Sequence, residues 1–185
     1  MTDEPQSLRG QLLIASSGLF DPNFRRTVVL VTEHTEEGAM GLVLNRRSPI
    51  TVAEAVPHLA DVSRPDEHIF VGGPVQPDAV VAIAEFEEPG DAVAIAFGDV
   101  GFLRPDTEPG DLGGSIRRAR VFAGYSGWGA GQLEVELEQE SWIVEPAEAD
   151  DVFTAEADDL WSAVLRRKGG AFALLARMPV DPSLN

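Results

Sequence analysis

The stretch from Thr27 to Asn45 constrains the fold more than any other part of the chain. Thr27-Val28-Val29-Leu30-Val31-Thr32 is dominated by β-branched residues, whose restricted χ1 favours extended backbone. Thr35-Glu36-Glu37-Gly38 then reads as a hairpin loop containing glycine. Ala39–Asn45 returns with Met40, Leu42, Val43 and Leu44, which leave little room for a solvated face. A hairpin of this composition belongs at the centre of a sheet, covered on both sides.

The remaining elements are fitted around that hairpin. Gln11–Ser16 reads as a buried strand, and Gly18 with Asp21-Pro22-Asn23 carries turn signals. Thr51-Val52-Ala53-Glu54 matches a capping box, so a helix starts at Thr51, and Pro57 ends or kinks it after about two turns. Ile69–Val71 is a short strand leading into the Gly72-Gly73-Pro74 turn. Val80–Phe86, Ala92–Phe97 and Arg120–Tyr125 are further strands, whereas Val100–Gly114 reads as loop. Gln132–Glu140 supports two readings. Leu133, Val135 and Leu137 alternate like a strand, but leucine, glutamate and glutamine favour a helix. Ser141–Glu145 is a short strand. Asp158–Lys168 is the clearest helix, with Leu160, Trp161, Val164 and Leu165 on one face, cations in its last turn and Gly169 after it. Ala171–Ala176 reads as a final strand or a helix extension.

A length of 185 residues fits one domain, expected here over residues 8–185 behind a disordered tail of residues 1–7. The chain has no cysteine, which removes disulfides and thiolate metal sites and fits a cytoplasmic location. No apolar run is long enough for a membrane helix. The net charge of −17 opposes binding to nucleic acid and to anionic membranes. Local clusters run against that field: Arg25-Arg26, Arg46-Arg47, Arg117-Arg118 with Arg120, and Arg166-Arg167-Lys168. The simplest reading pairs or solvates them. Lys168 is the single lysine.

Chemistry-bearing motifs are sparse. The lysine lies in no phosphate-loop pattern, and Gly127-Trp128-Gly129-Ala130-Gly131 lacks dinucleotide-loop spacing. Gly124-Tyr125-Ser126-Gly127-Trp128 has tryptophan where a nucleophile elbow needs its last glycine. His34, His58 and His68 match no metal-ligand spacing, so neither a metal nor a cofactor is expected. Asp21 beside Arg25 and Arg26 either orients an anionic ligand or fixes a loop. Asn45 at the end of an apolar strand either reads a ligand or satisfies backbone groups. Gly124–Gly131, with Tyr125 and Trp128, reads as a strand-to-helix turn with aromatic lids.

Several blocks together carry a family pattern. Gly10–Ala15, Leu19–Leu30 with Asp21-Pro22-Asn23-Phe24-Arg25-Arg26, Glu33-His34, Gly38–Arg46, Val71–Val75 and Gly124–Glu134 occur in an order and spacing that resemble the YqgE/AlgH family of bacterial proteins. Ser16-Ser17 stands where that family often has a proline, and Ser126 where it usually has alanine. The resemblance implies an α+β fold, a compact domain with a bent, partly barrel-like, mainly antiparallel sheet and flanking helices, and it implies that the Gln132–Glu134 segment is helical. It supplies no catalytic residues, though the family name reflects a proposed role in transcriptional regulation.

Three functional readings follow. The first is a non-enzymatic cytoplasmic binding or regulatory protein whose protein or small-molecule partner meets a surface containing Asp21, Arg26, His34, Asn45, Gly73, Tyr125 and Trp128. The second is a hydrolase using His34 with a nearby carboxylate. The third is a DNA-binding regulator, which the charge disfavours.

Overall fold

A computed structural model describes residues 6–64, 66–104, 106–111 and 115–180. Ten strands form one mainly antiparallel sheet: β1 (Gln11–Ala15), β2 (Val28–Thr35), β3 (Gly38–Val43), β4 (Arg47–Thr51), β5 (His68–Val71), β6 (Val75–Phe86), β7 (Ile95–Phe97), β8 (Val100–Phe102), β9 (Ile116–Gly129) and β10 (Trp142–Pro146). Five helices flank it: α1 (Val52–Ala55), α2 (Gln132–Glu138), α3 (Ala149–Phe153), α4 (Leu160–Lys168) and α5 (Ala171–Leu175). The main path runs β10-β1-β2-β3-β9-β6-β8-β7, with β5 pairing in parallel to β9 and carrying β4 on its other side. Among the described residues no helix is long and apolar enough to cross a membrane.

The hairpin β2–β3 lies inside the sheet as its composition requires, and alternation sends its side chains to two cores. Leu30 and Leu42 join Leu12 and Ile14 beneath α4, where Leu160, Trp161, Val164 and Leu165 pack. Val29, Val31 and Val43 face the opposite way, toward Trp128, Trp142 and Leu133 of α2. A third core gathers Val52, Leu59, Ile69, Phe86 and Val121 under the α1 region. At the far edge the sheet bends back. A Cβ on Gly10, just before β1, would lie 2.9 Å from Phe97 Cβ of β7.

β9 joins the two halves of the sheet. One of its edges pairs along β6, while the other pairs first with β5 through Phe122 and Ala123, then with β3 from Ser126 to Gly129. Gly72 and Gly73 pass through the point where β5 gives way to β3. Gly72 N–H donates to Ala123 O, and its carbonyl accepts from Val43 N–H and from Ser126 Oγ. A Cβ on Gly72 would lie 2.3 Å from Gly124 O, one on Gly73 2.2 Å from Tyr125 O, and one on Gly124 2.6 Å from Gly73 O. Backbone packs on backbone there, and only glycine fits.

Several elements depart from the sequence reading. Gly124–Gly131 is not a turn. The strand continues through Gly129, with Gly124 alone of these glycines serving the crossing, and the reversal is confined to Ala130 and Gly131 (φ 73°). Val100–Phe102, expected as loop, pairs between β6 and β7. There Gly101 is needed because a Cβ would meet Ala94 O at 2.7 Å. The helix after Thr51 has its full capping box but spans only four residues before a 3-10 turn at Pro57–Leu59. The Gln132–Glu138 segment is helical, and Ala171–Leu175 extends the helical C-terminal layer. Of the expected tail, residues 1–5 lie outside the described residues, and Ser7 Oγ donates to His34 O.

Gly124 combines φ of +71° with a backbone neighbour at 2.6 Å. Gly124→Ala is expected to cost at least about 2 kcal/mol, from left-handed strain plus displacement of the 72–73 segment. Gly129→Ala, which meets nothing within 4 Å, should stay within about 0.5 kcal/mol of the parent. Chemical denaturation of both variants checks the difference.

Candidate functional site

The residues singled out by sequence fall into four places. Arg26 and Asn45 meet at the start of β2. Asn45 Oδ1 accepts from Val28 N–H at 2.9 Å and its amide donates to Arg26 O at 2.8 Å, so it satisfies backbone in place of a ligand. Arg26 has φ of 54°. Its guanidinium lies 4.1 Å from the Trp161 ring centroid and donates to Met178 O and Pro179 O. Burial is the main cause drawing its pKa below the ordinary arginine value, with Arg25 adding to it. Asp21 lies in the adjoining loop, where Oδ1 accepts from Asn23 N–H at 2.8 Å.

His34 sits six residues along β2 from Val28, roughly 20 Å away at strand rise. Its side chain is 6% exposed. Nδ1 accepts from Leu8 N–H at 3.0 Å, which leaves the ring proton on Nε2, 2.7 Å from Glu134 Oε1. Both nitrogens are therefore committed to holding the N-terminal segment and α2 against β2. Gly73 and Tyr125 belong to the strand crossing, with Tyr125 half-buried against the α4-side core. Ser126 is fully buried beside them.

Trp128 is a packing residue. It forms a cluster with Phe24 and Trp142, with ring centroids 5.7 to 6.2 Å apart. One carboxylate oxygen, Glu136 Oε2, accepts both indole N–H groups at 2.8 Å. The seven residues are thus distributed over four places. The described residues contain no group of three or more metal-ligating side chains.

A different place concentrates charge. A cleft of about 510 Å³ opens between β4, β5 and β9 on one side and the segment after α3 on the other. Arg47, Arg64, Arg117, Arg118 and Arg120 line it, with His68, against two carboxylates, Asp66 and Glu67. Five of the fourteen basic side chains of a chain with net charge −17 therefore face one concavity. Strand geometry explains part of this. Arg118 and Arg120 are two apart on β9 and share a face, and the parallel pairing of Phe70 with Phe122 brings β5 beside them.

Arg120 is the floor of the cleft. Its side chain is 4% exposed, and its guanidinium stacks 4.2 Å from the Phe70 centroid. It donates to Glu67 Oε1 and to Val152 O, both at 2.9 Å, while Nε has no partner among the described residues. Burial draws its pKa below the ordinary value, and Glu67 opposes that shift. Arg118 reaches Glu85 at 2.6 Å and Asp150 at 2.8 Å; its bond to Glu85 is the main cause raising its pKa. Arg117 grips Glu87 through two 2.9 Å bonds. Arg47 donates to Ala155 O at 3.0 Å and lies 5.8 Å from the Phe70 centroid. Two of these arginines thus suspend the outer wall by its carbonyls. The sequence flagged Arg46-Arg47 and Arg117-Arg118 with Arg120 only as separate clusters. Arg64 and His68 carried no signal that they would join them.

A family model described as AlgH-like matches residues 12–173. A UPF0301 protein of Streptomyces coelicolor is 40% identical over 188 residues, covering 98% of this chain and 97% of that one. Another, from Thermobifida fusca, is 44% identical over 191 residues, covering 97% and 96%. Among solved structures, a Corynebacterium diphtheriae protein superposes with a TM-score of 0.85 at 26% identity, over 95% of each chain. The AlgH protein of Pseudomonas aeruginosa superposes at 0.69 and 30% identity, over 98% of this chain and 99% of that one.

Two predictions concern the residues around α2. Glu136→Ala strands two indole donors and is expected to cost about 2–4 kcal/mol, whereas Glu136→Gln keeps an acceptor and should cost less. Tryptophan-detected unfolding measures both. The Glu134 carboxyl is held below its ordinary range first by a bond from its own amide and then by His34. A carboxyl depressed in the folded state stabilises above its unfolded pKa, and that contribution disappears as pH falls through the folded pKa. Glu134→Gln should therefore be less stable than the parent at neutral pH and converge with it in acid, as followed by thermal melts across pH.

Proposed function

The chain belongs to the AlgH-like family, and from that premise we propose that it is a non-enzymatic cytoplasmic binding protein with a regulatory role, whose ligand is a small anion held in the arginine cleft. The observation that carries this reading is the concentration of five guanidiniums around one concavity of an acidic protein. Guanidinium forks match carboxylate and phosphate oxygens in pairs, and a concave, partly dry wall strengthens each bond. A volume of about 510 Å³ is in the range of small-ligand sites. The buried Arg120, stacked on Phe70, gives the site a fixed positive floor.

The hydrolase reading loses support because His34 has both ring nitrogens engaged in structural bonds and a nearly buried side chain. Duplex DNA fits the cleft poorly. Glu85, Glu87, Asp99 and Asp150 surround Arg117 and Arg118, and would meet the phosphate backbone with like charge.

The test is an amide-shift titration of the full chain with phosphate, sulfate, succinate and pyrophosphate at constant ionic strength. The expected result is saturable shifts confined to residues 47, 62–68, 117–120 and 153–155 for at least one anion. No saturable shift there from any of them overturns the reading. A 20-base-pair duplex that binds at low salt through the same residues would overturn it in favour of the DNA-binding reading.

A further inference from the structure

The cations of the cleft differ in what they already hold. Arg117, Arg118 and Arg120 each have a carboxylate in contact: Glu87, then Glu85 with Asp150, then Glu67. Arg47 and Arg64 have none among the described residues, and both are exposed on the cleft wall. The internal carboxylates differ as well. Glu85 is only 14% exposed and stays with β6, whereas Asp150 is 84% exposed and, among the described residues, touches the cleft through Arg118. Asp150 is therefore the acid an incoming anion can replace at least cost.

That competition selects the ligand. An acid tethered in the same chain competes at an effective concentration on the order of millimolar. A carboxylate group, whether of a mono- or a dicarboxylate, offers Arg118 the same single charge and the same two oxygens as Asp150, so it gains nothing by that exchange. A phosphoryl dianion brings nearly twice the charge and three strong acceptor oxygens. It can satisfy Arg118 and also engage Arg47 or Arg64, which no carboxylate neutralises. Resting on the anion-binding reading above, we infer that the ligand is a small molecule carrying a phosphoryl dianion or a diphosphate, and that Asp150 is the internal occupant it displaces from Arg118.

Displacement has a structural outlet. Asp150 lies in the first turn of α3, and the same short segment hangs from Arg120 at Val152 O and from Arg47 at Ala155 O. Moving Arg47 and Arg118 onto a ligand releases two of the ties that hold residues 150–155 to the sheet.

The experiment is calorimetry on the full chain with pyrophosphate and with succinate at one ionic strength, on the parent, D150N and the double variant R47Q/R64Q. All three substituted side chains are exposed, and matching thermal melts confirm folding. Pyrophosphate should bind at least tenfold more tightly than succinate. D150N should tighten it about three- to tenfold, and R47Q/R64Q should weaken it at least tenfold. Equal affinity for the two anions, or no response to D150N, overturns this inference while leaving the anion-binding reading intact. Binding of neither anion to any of the three proteins overturns that reading itself. Co-sedimentation with phosphatidic acid vesicles, without calorimetric binding of pyrophosphate, would move the phosphoryl group to a lipid and overturn the small-molecule assignment.

Discussion

The rest of the architecture depends on the contact between Gly72-Gly73 and Gly124. Two backbones touch without intervening side chains, and this lets β9 exchange β5 for β3 along one edge while keeping β6 on the other. The exchange sets two placements. It places Arg118 and Arg120 on the stretch of β9 beside β5, where they meet His68 and Arg47. It also places Trp128 on the stretch beside β3, where it can pack with Trp142 over the hairpin. A side chain at the crossing would force the two halves of the sheet apart, and the cleft would lose its floor.

Local rules were readable in the sequence where the cause was local. The capping box of Thr51 and Glu54 forms as written, because its bonds lie within one turn. The apolar part of the hairpin, residues 28–32 and 41–44, is buried on both faces, as its composition requires, while residues 33–40 toward the loop are exposed or half-buried. Helix α4 ends at Gly169, with its cations in the last turn. The glycines of β9 misled the reading because a lone sequence cannot distinguish a glycine required by its own φ from one required by a neighbouring backbone. Gly127 illustrates the difficulty: it lies within a strand at ordinary φ, although its neighbourhood reads as a turn.

The candidate cleft was hardly legible for the same reason. Asp21 stood out beside two arginines, His34 beside carboxylates, Asn45 at the end of an apolar strand and Trp128 in a glycine-rich stretch. Each turned out to satisfy backbone groups, neighbouring helices or buried rings, the usual fate of such residues. The arginines of the cleft come from β4, from the loop before β5 and from β9. Only the parallel pairing of β5 with β9, which sets Phe70 beside Phe122, gathers them. Hydrophobic patterning reports that such strands exist but not which of them lie side by side.

The position of β9 in the chain has a consequence for synthesis. Its partners β3, β5 and β6 all precede it, and β10, which covers the outer edge of β1, comes later still. As the chain leaves the ribosome, the edges of β3, β5 and β6 that pair with β9 stay open until Ile116–Gly129 has emerged. Exposed edges of this kind recruit other chains. The nascent chain therefore passes through an interval in which about two thirds of it is made but its sheet has no middle, and its open edges are then available to pair with other chains.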